Sequence, residues 1–334
     1  MVFDPALSGI RTVLLFLFGF ILYSFAPSSE PLRMVYDGLF GYINTKGEQV
    51  ISNRFKRAMP FSEGLAPFHE RGMWGFINEK GHEVISPQFR KTDGFVNGLA
   101  LVLDKLNAKV KYGFIDHEGK RVIYPEYEDA KSFSEGLAAV KFRNKLWGYV
   151  DKSGKISLPF RYTDARSFKD SLAAVKSGEN WGFIDNQGQY VIRPRYIEVG
   201  DFSEDMAPVM MGWQWGYIDK NGTLKIPARF DEAFPFSNGL ALVRFDVGRR
   251  FYGFVDREGK VVLEGDFERA ASFKEGVARV RVNGKWGYLN ADGQYEIEPK
   301  YDQAEDFEGG MAYVNIQGKW SWIDIEERTI WKES

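Results

Sequence analysis

Trp147-Gly148-Tyr149-Val150-Asp151-Lys152-Ser153-Gly154 is a phrase that the rest of the chain repeats. Close copies start at Trp74, Trp181, Trp215 and Trp286, and looser ones at Phe40, Tyr112, Tyr252 and Trp320, nine in all. Their spacings are 34, 38, 35, 34, 34, 37, 34 and 34 residues. A fixed period of this length marks a chain built from stacked copies of one small unit, each too small to bury its apolar face alone.

Two further blocks recur within the period. Phe133-Ser134-Glu135-Gly136-Leu137-Ala138-Ala139-Val140 has counterparts beginning at Phe61, Phe95, Phe168, Phe202, Phe236, Phe273 and Phe307. Pro125-Glu126-Tyr127-Glu128-Asp129-Ala130 has relatives at Pro87, Pro194 and Pro299, and reads as one residue longer at Pro159 and Pro227. Short apolar stretches alternate with turn signals, so each unit reads as three antiparallel strands, at 137–142, 146–151 and 155–159 in this copy. An extended piece, 162–168, leads into the next unit. Helical spacing of apolar residues is confined to the N-terminal segment.

The turn between the second and third strands opens on Asp or Asn in all nine copies, a side chain that accepts backbone hydrogen bonds within a turn. Glycine follows three residues later in eight, where a bulged hairpin needs a positive φ; the ninth has Glu327. Glycine after the motif tryptophan sits in mid-strand, which implies that some group approaches it closely. A neighbouring ring is the expected one. Both faces of these strands are apolar, so each sheet must be covered on both sides by its neighbours in the array. Worn strands at 32–35 and 328–331 complete nine units. An all-β ring resembling a propeller is favoured over an open β-superhelix, although propellers usually have about four to eight blades.

The Trp-Gly-[Phe/Tyr]-Ile-Asp-x-x-Gly block, with Gly-Leu-Ala-x-Val and Pro-x-Tyr-Asp, resembles the bacterial WG-containing repeat, also called the KWG repeat; Lys285-Trp286-Gly287 shows the lysine of the second name. The likeness spans roughly residues 32–331. Phe40, Tyr112 and Tyr252 depart from its tryptophan and Ser321 from its glycine. The resemblance implies a β-repeat array, frequent in envelope or exported proteins, with no shared catalytic residues and no common ligand.

Charge nearly cancels, with 44 Lys and Arg against 46 Asp and Glu, so a basic field for nucleic acid is absent. The chain has no cysteine, which removes disulfides and thiolate metal sites. Residues 12–25, TVLLFLFGFILYSF, carry no charge and follow Arg11. This run reads as a secretory signal or as an uncleaved helical anchor in the inner membrane, with a buried core segment as the third possibility. It is short for a spanning helix, which takes roughly 17–25 residues. The chain divides at 1–28 and 29–334 on this reading, and a signal or anchor places the repeats outside the cytoplasm.

The motif tryptophans Trp74, Trp147, Trp181, Trp215, Trp286 and Trp320 are expected in the core, because a strict period fits a job done in every unit. Trp213 breaks the pattern, in the turn Met210-Met211-Gly212-Trp213. Two units are longer than the rest, both in the turn between the first and second strands. One insertion carries Lys105, Lys109 and Lys111, the other Arg249 and Arg250. These residues and Trp213 form a candidate binding rim. The sequence offers no catalytic triad, phosphate loop, cofactor motif or metal spacing; His69, His82 and His117 fall at unrelated positions in the period. The best reading is an exported, non-enzymatic binding or scaffold protein of the cell envelope, whose partner is a protein or peptide. A carbohydrate or peptidoglycan binder is the alternative, and a glycan-active enzyme the third.

Overall fold

The computed structural model describes residues 31–106, 109–143, 145–246 and 250–334, and among them every regular element is a strand. The apolar run 12–25, with its signal or anchor reading, lies outside the described residues.

Nine antiparallel sheets follow one another along the chain as the blades of a propeller. Blade 4 shows the pattern, with strands Asp129–Ala130, Leu137–Lys141, Trp147–Asp151 and Ile156–Tyr162 in that order. The three expected strands thus gain a fourth. The extended piece between units pairs Asp129 with Lys141 and Ala130 with Val140. Tyr162 ends blade 4 and Asp164 opens blade 5, so one nearly continuous extended segment serves two blades. Blade 1 has only three strands, Arg33–Asp37, Leu39–Ile43 and Gln49–Phe55. The worn strands expected at both ends are present, as Arg33–Asp37 and Thr329–Lys332.

The last strand of each blade is bulged. Trp147 faces Tyr162 while Tyr149 faces Leu158, so the last strand carries extra residues in that interval. This bulge explains the glycine after the motif tryptophan. A Cβ on Gly182 would lie 2.5 Å from the Ile192 carbonyl oxygen and 2.6 Å from the Pro194 nitrogen. The group that must approach is therefore mainly the bulged backbone of the same blade, and not a neighbouring ring. Proline fits there because an edge strand does not need its N–H, and it also blocks pairing with foreign strands. In blades 4 and 6 the last strand has seven residues and the same burial pattern as in blade 5. No residue is inserted; the proline has moved one place.

Turn chemistry follows the sequence. Asp151 Oδ1 accepts the N–H groups of Ser153 at 2.9 Å and Lys155 at 3.0 Å, and Gly154 has φ 84°. The glycine answers a second demand as well. A Cβ on Gly259 would lie 2.7 Å from Ile226 of the preceding blade, and one on Gly188 2.9 Å from Leu158.

The core lies between blades. Trp181, Phe183, Ile192 and Tyr196 of blade 5 pack with Val199, Phe202, Val209 and Ile218 of blade 6. Trp74, Trp147 and Trp181 are buried; Trp215, Trp286 and Trp320 are half-buried. Guanidinium groups lie over several of these rings, with Arg166 5.0 Å from Trp181 and Arg279 5.3 Å from Trp286. Tyrosines two residues after the motif aromatic add a polar tie. The hydroxyls of Tyr42, Tyr149, Tyr217 and Tyr288 donate to the carbonyls of Met59, Arg166, Phe234 and Glu305 in the next blade, at 2.6–2.9 Å.

Closure of the ring uses the same contacts, adapted. Gly47 of blade 1 packs on the Ile330 carbonyl of blade 9, as the other turn glycines pack on the preceding blade. Trp322 occupies the position of Tyr149, but blade 1 has no short first strand to accept its bond. The longer indole reaches further, and Nε1 donates to the Met34 carbonyl at 3.0 Å. In blade 4 the equivalent carbonyl, that of Ala139, accepts from Lys131 N at 2.9 Å. The indole N–H thus supplies the bond that the absent strand would make.

Trp322→Phe should lower stability by about 1 kcal/mol, the net value of one such bond. A urea midpoint equal to that of the wild type would show that the indole bond does not hold the seam. Burial raises the hydroxyl pKa of Tyr42, Tyr149, Tyr217 and Tyr288 above the usual value. Folded phenols therefore hold protons that unfolded ones lose above pH ~10. The stability they confer is complete below that pH and falls as pH rises through the folded values. Phenolate absorbance from these four, identified by single Tyr→Phe variants, should appear together with loss of β-sheet circular dichroism on alkaline titration. A Tyr217→Phe variant that loses its phenolate signal from a step preceding unfolding would contradict this.

Candidate functional site

Strands follow in chain order in every blade, so the hairpins joining the second and third strands, and the first and second in three-stranded blade 1, all lie on one face of the ring. At each junction, the residue after the terminal aromatic of one blade meets the hairpin of the next. Thr163 Oγ1 donates to the Gly178 carbonyl at 3.0 Å. Glu268 accepts from Gly284 N at 3.0 Å, and Asp302 from Gln317 N at 2.7 Å. The Lys285 ammonium and that N–H hold Asp302 below the usual carboxylate range. Elsewhere an aromatic residue fills the space, as Phe142 does against Tyr127 at 6.2 Å and Phe245 against Phe230 at 5.4 Å.

Among the tying positions that face fully described hairpins, two have neither device. Lys56 takes the tying position between blades 1 and 2, and Ile197 between blades 5 and 6. Isoleucine has no polar group to offer, and the exposed Lys56 ammonium, which can only donate, makes no bond to the facing hairpin among the described residues. An open groove results at each.

The groove between blades 5 and 6 encloses about 480 Å³, between Arg195, Tyr196 and Ile197 on one side and Met210, Met211 and Gly212 on the other, with Leu224 at its end. Met211 also packs on the core between these blades. Met211 pairs with Gln214, leaving a two-residue turn in which Gly212 has φ 65° and Trp213 follows. Glycine first with positive φ is the type II′ hairpin, whose twist suits the strands. It sets Trp213 at the tip, 89% exposed, whereas Trp181 is 4% exposed. Ile197 is 53% exposed. The groove lining is thus mainly apolar, and the hairpin that supplies Met210 and Met211 carries an exposed indole at its tip.

The groove between blades 1 and 2 is larger, about 720 Å³, and built on the same frame. His69, Glu70 and Arg71 stand there in place of Met210, Met211 and Gly212. One strand register therefore presents two chemistries.

The basic turns lie on the same face as Trp213 but apart from it. In blade 3, Lys105 and Lys109 are exposed, while the Lys111 ammonium lies 3.3 Å from Glu128. Asp104, buried, anchors this hairpin by pairing with Arg121 at 2.7 Å. In blade 7 the two strands run on to the Asp246–Arg250 pair. Arg249 and the side chain of Arg250 lie outside the described residues. Blade 6 adjoins blade 7 and is three steps from blade 3, so the rim is a set of separate places on one face. Ile197 was the residue that sequence reasoning passed over. Its signal was present: Lys56, Arg90, Glu128, Thr163, Asp231, Glu268 and Asp302 are all polar at the equivalent position.

The profile of the WG containing repeat matches eight segments, 40–72, 74–104, 112–145, 147–181, 181–212, 215–246, 252–286 and 286–320. No curated protein matches the chain. Among solved structures, it is similar to a eukaryotic initiation factor, with TM-score 0.63 and 10% identity over 91% of this chain and 96% of that one. BamB from Moraxella catarrhalis matches with TM-score 0.44 and 11% identity, covering 89% and 98% of the two chains. Apo AztD from Citrobacter koseri matches with TM-score 0.46 and 12% identity, covering 91% and 94%. At such identities the first likeness is one of fold. The eight segments cover most of the residues between Phe40 and Trp320, and the chain belongs to the WG containing repeat family.

Proposed function

We propose that this propeller is a non-enzymatic scaffold that binds a protein segment in the groove between blades 5 and 6. The observation that carries the reading is a groove lined by Ile197, Met210, Met211 and Gly212, with Trp213 exposed on the same hairpin tip next to Gly212. Exposed tryptophan beside a concave apolar wall is the usual anchor of a protein interface. The lining carries no carboxylate, imidazole or serine; Arg195 donates to the Tyr196 hydroxyl and the Gly222 carbonyl. Arg193 and Arg195 are both exposed on the strand that forms one wall. The segment that fits is therefore apolar on one face and acidic on its flanks. A glycan fits less well, because Met, Ile and Leu offer no partners to its hydroxyls. Lys105 and Lys109 on the same face would raise the rate of encounter with an acidic partner.

The apolar run 12–25 after Arg11 supports a place outside the cytoplasm, on an exported or anchored chain of the envelope. A reporter enzyme that works only outside the cytoplasm, fused after Ser28, should be active. An inactive fusion retained in the cytoplasm would sink this placement.

Binding itself is tested with partners crosslinked in intact envelopes, identified, purified and rebound. Trp213→Ser should weaken rebinding at least tenfold, as loss of a central anchor does. Ile197→Thr should do the same without touching Trp213, because it installs the tie seen at Thr163. Wild-type affinity in both variants, with melting temperature unchanged, would remove the groove from the interface.

A further inference from the structure

The groove between blades 1 and 2 has a chemistry of its own. Its floor is apolar: Phe55 and Phe68 are buried, their rings 5.5 Å apart. Arg54 lies along one wall, its guanidinium carbon 4.9 Å from the Phe55 ring centre and a nitrogen donating to the Gly81 carbonyl. That guanidinium is held in place before any ligand arrives. Two exposed cations line the same cavity from opposite sides, Lys56 from blade 1 and Arg71 from the hairpin tip of blade 2. Glu70 and Glu83 also line it, and the Glu83 carboxylate accepts the Ser86 hydroxyl at 2.5 Å. Three cations thus face two carboxylates.

A cavity of this size, with an aromatic floor and a few polar groups, suits a small ligand or the end of a chain. The excess of a single positive charge suits one negative charge; a phosphate dianion would meet Glu70 and Glu83. We infer that the groove between blades 1 and 2 is a site for a monocarboxylate carried on an apolar ring or acyl body, with the body on Phe55 and Phe68 and the carboxylate between Lys56 and Arg71. Arginine binds a carboxylate through two parallel hydrogen bonds, which adds direction to the charge. The chemistry has two sources: the C-terminal carboxylate of a peptide ending in an apolar residue, or a free aryl or acyl acid. This site stands independently of the groove between blades 5 and 6.

Titration calorimetry on the full chain tests it with three probes: N-acetylphenylalanine, its primary amide, and phenylbutanoate. The acid should bind and the amide should bind at least on the order of tenfold more weakly, since a charge-assisted bond is lost. Arg71→Gly should weaken the acid by a similar factor. Glycine suits that position, where φ is 50°. Lys56→Thr should also weaken it, by removing the ammonium and supplying the tie that closes other junctions. Ile197→Thr, in the other groove, should leave binding unchanged. Tighter binding of N-acetylphenylalanine than of phenylbutanoate assigns the peptide end, and the reverse assigns the free acid. Equal binding of acid and amide, wild-type binding by both Lys56→Thr and Arg71→Gly, or binding of no probe would each overturn the inference.

Discussion

A sheet of four short strands with apolar residues on both faces cannot exist alone in water. Each blade here is covered by the next, and the clusters of buried side chains straddle blades. The remaining features follow from that constraint. Bulges and mid-strand glycines let blades stay thin, turn glycines let them approach, and tyrosine hydroxyls fix their spacing. The ring disposes of the two uncovered end faces that an open array would leave.

Binding surface in such a ring arises where a repeated device fails. The hairpin tie needs an acceptor or donor, or a ring, at one position per junction. Thr163, Glu268 and Asp302 supply the polar version. Lys56 and Ile197 do not, and cavities open beside them. At these two junctions the missing tie coincides with a groove, and the neighbouring hairpin residues set its chemistry. The frame can diversify within one strand register, since both open hairpins are two-residue turns, although φ is positive at both Arg71 and Gly72 in one and only at Gly212 in the other.

Much of this was legible in the sequence. The period gave nine units, Asp and Gly gave the turns, and strands apolar on both faces gave stacking. Trp213 stood out because it broke a pattern. The short first strand of each blade was read as a connector, because two residues carry no alternation to detect. The extra length at Pro159 and Pro227 was a shift in proline, since a bulge tolerates proline at either of two places. Closure was only favoured, because it turns on Trp322 meeting Met34, residues nearly the whole chain apart. The grooves were missed for a related reason. A tie is a relation between two repeats, and it becomes visible only when one knows which residues face each other.

The connecting segment between blades has a mechanical consequence. At eight junctions a strand runs covalently from one blade into the next, often with one residue between. At the ninth, blade 9 meets blade 1 through non-covalent contacts alone. Tension applied to the two ends of the ring would load that seam in full, while the other junctions share the load with the backbone. Blades would then peel away one at a time from either end. The same geometry brings residues 33–37 and 329–334 together, with the Ser334 hydroxyl on the Asp37 carboxylate at 2.5 Å. A short linker across this gap would permit the chain to be cut open at another junction, giving a circularly permuted ring with the same nine blades.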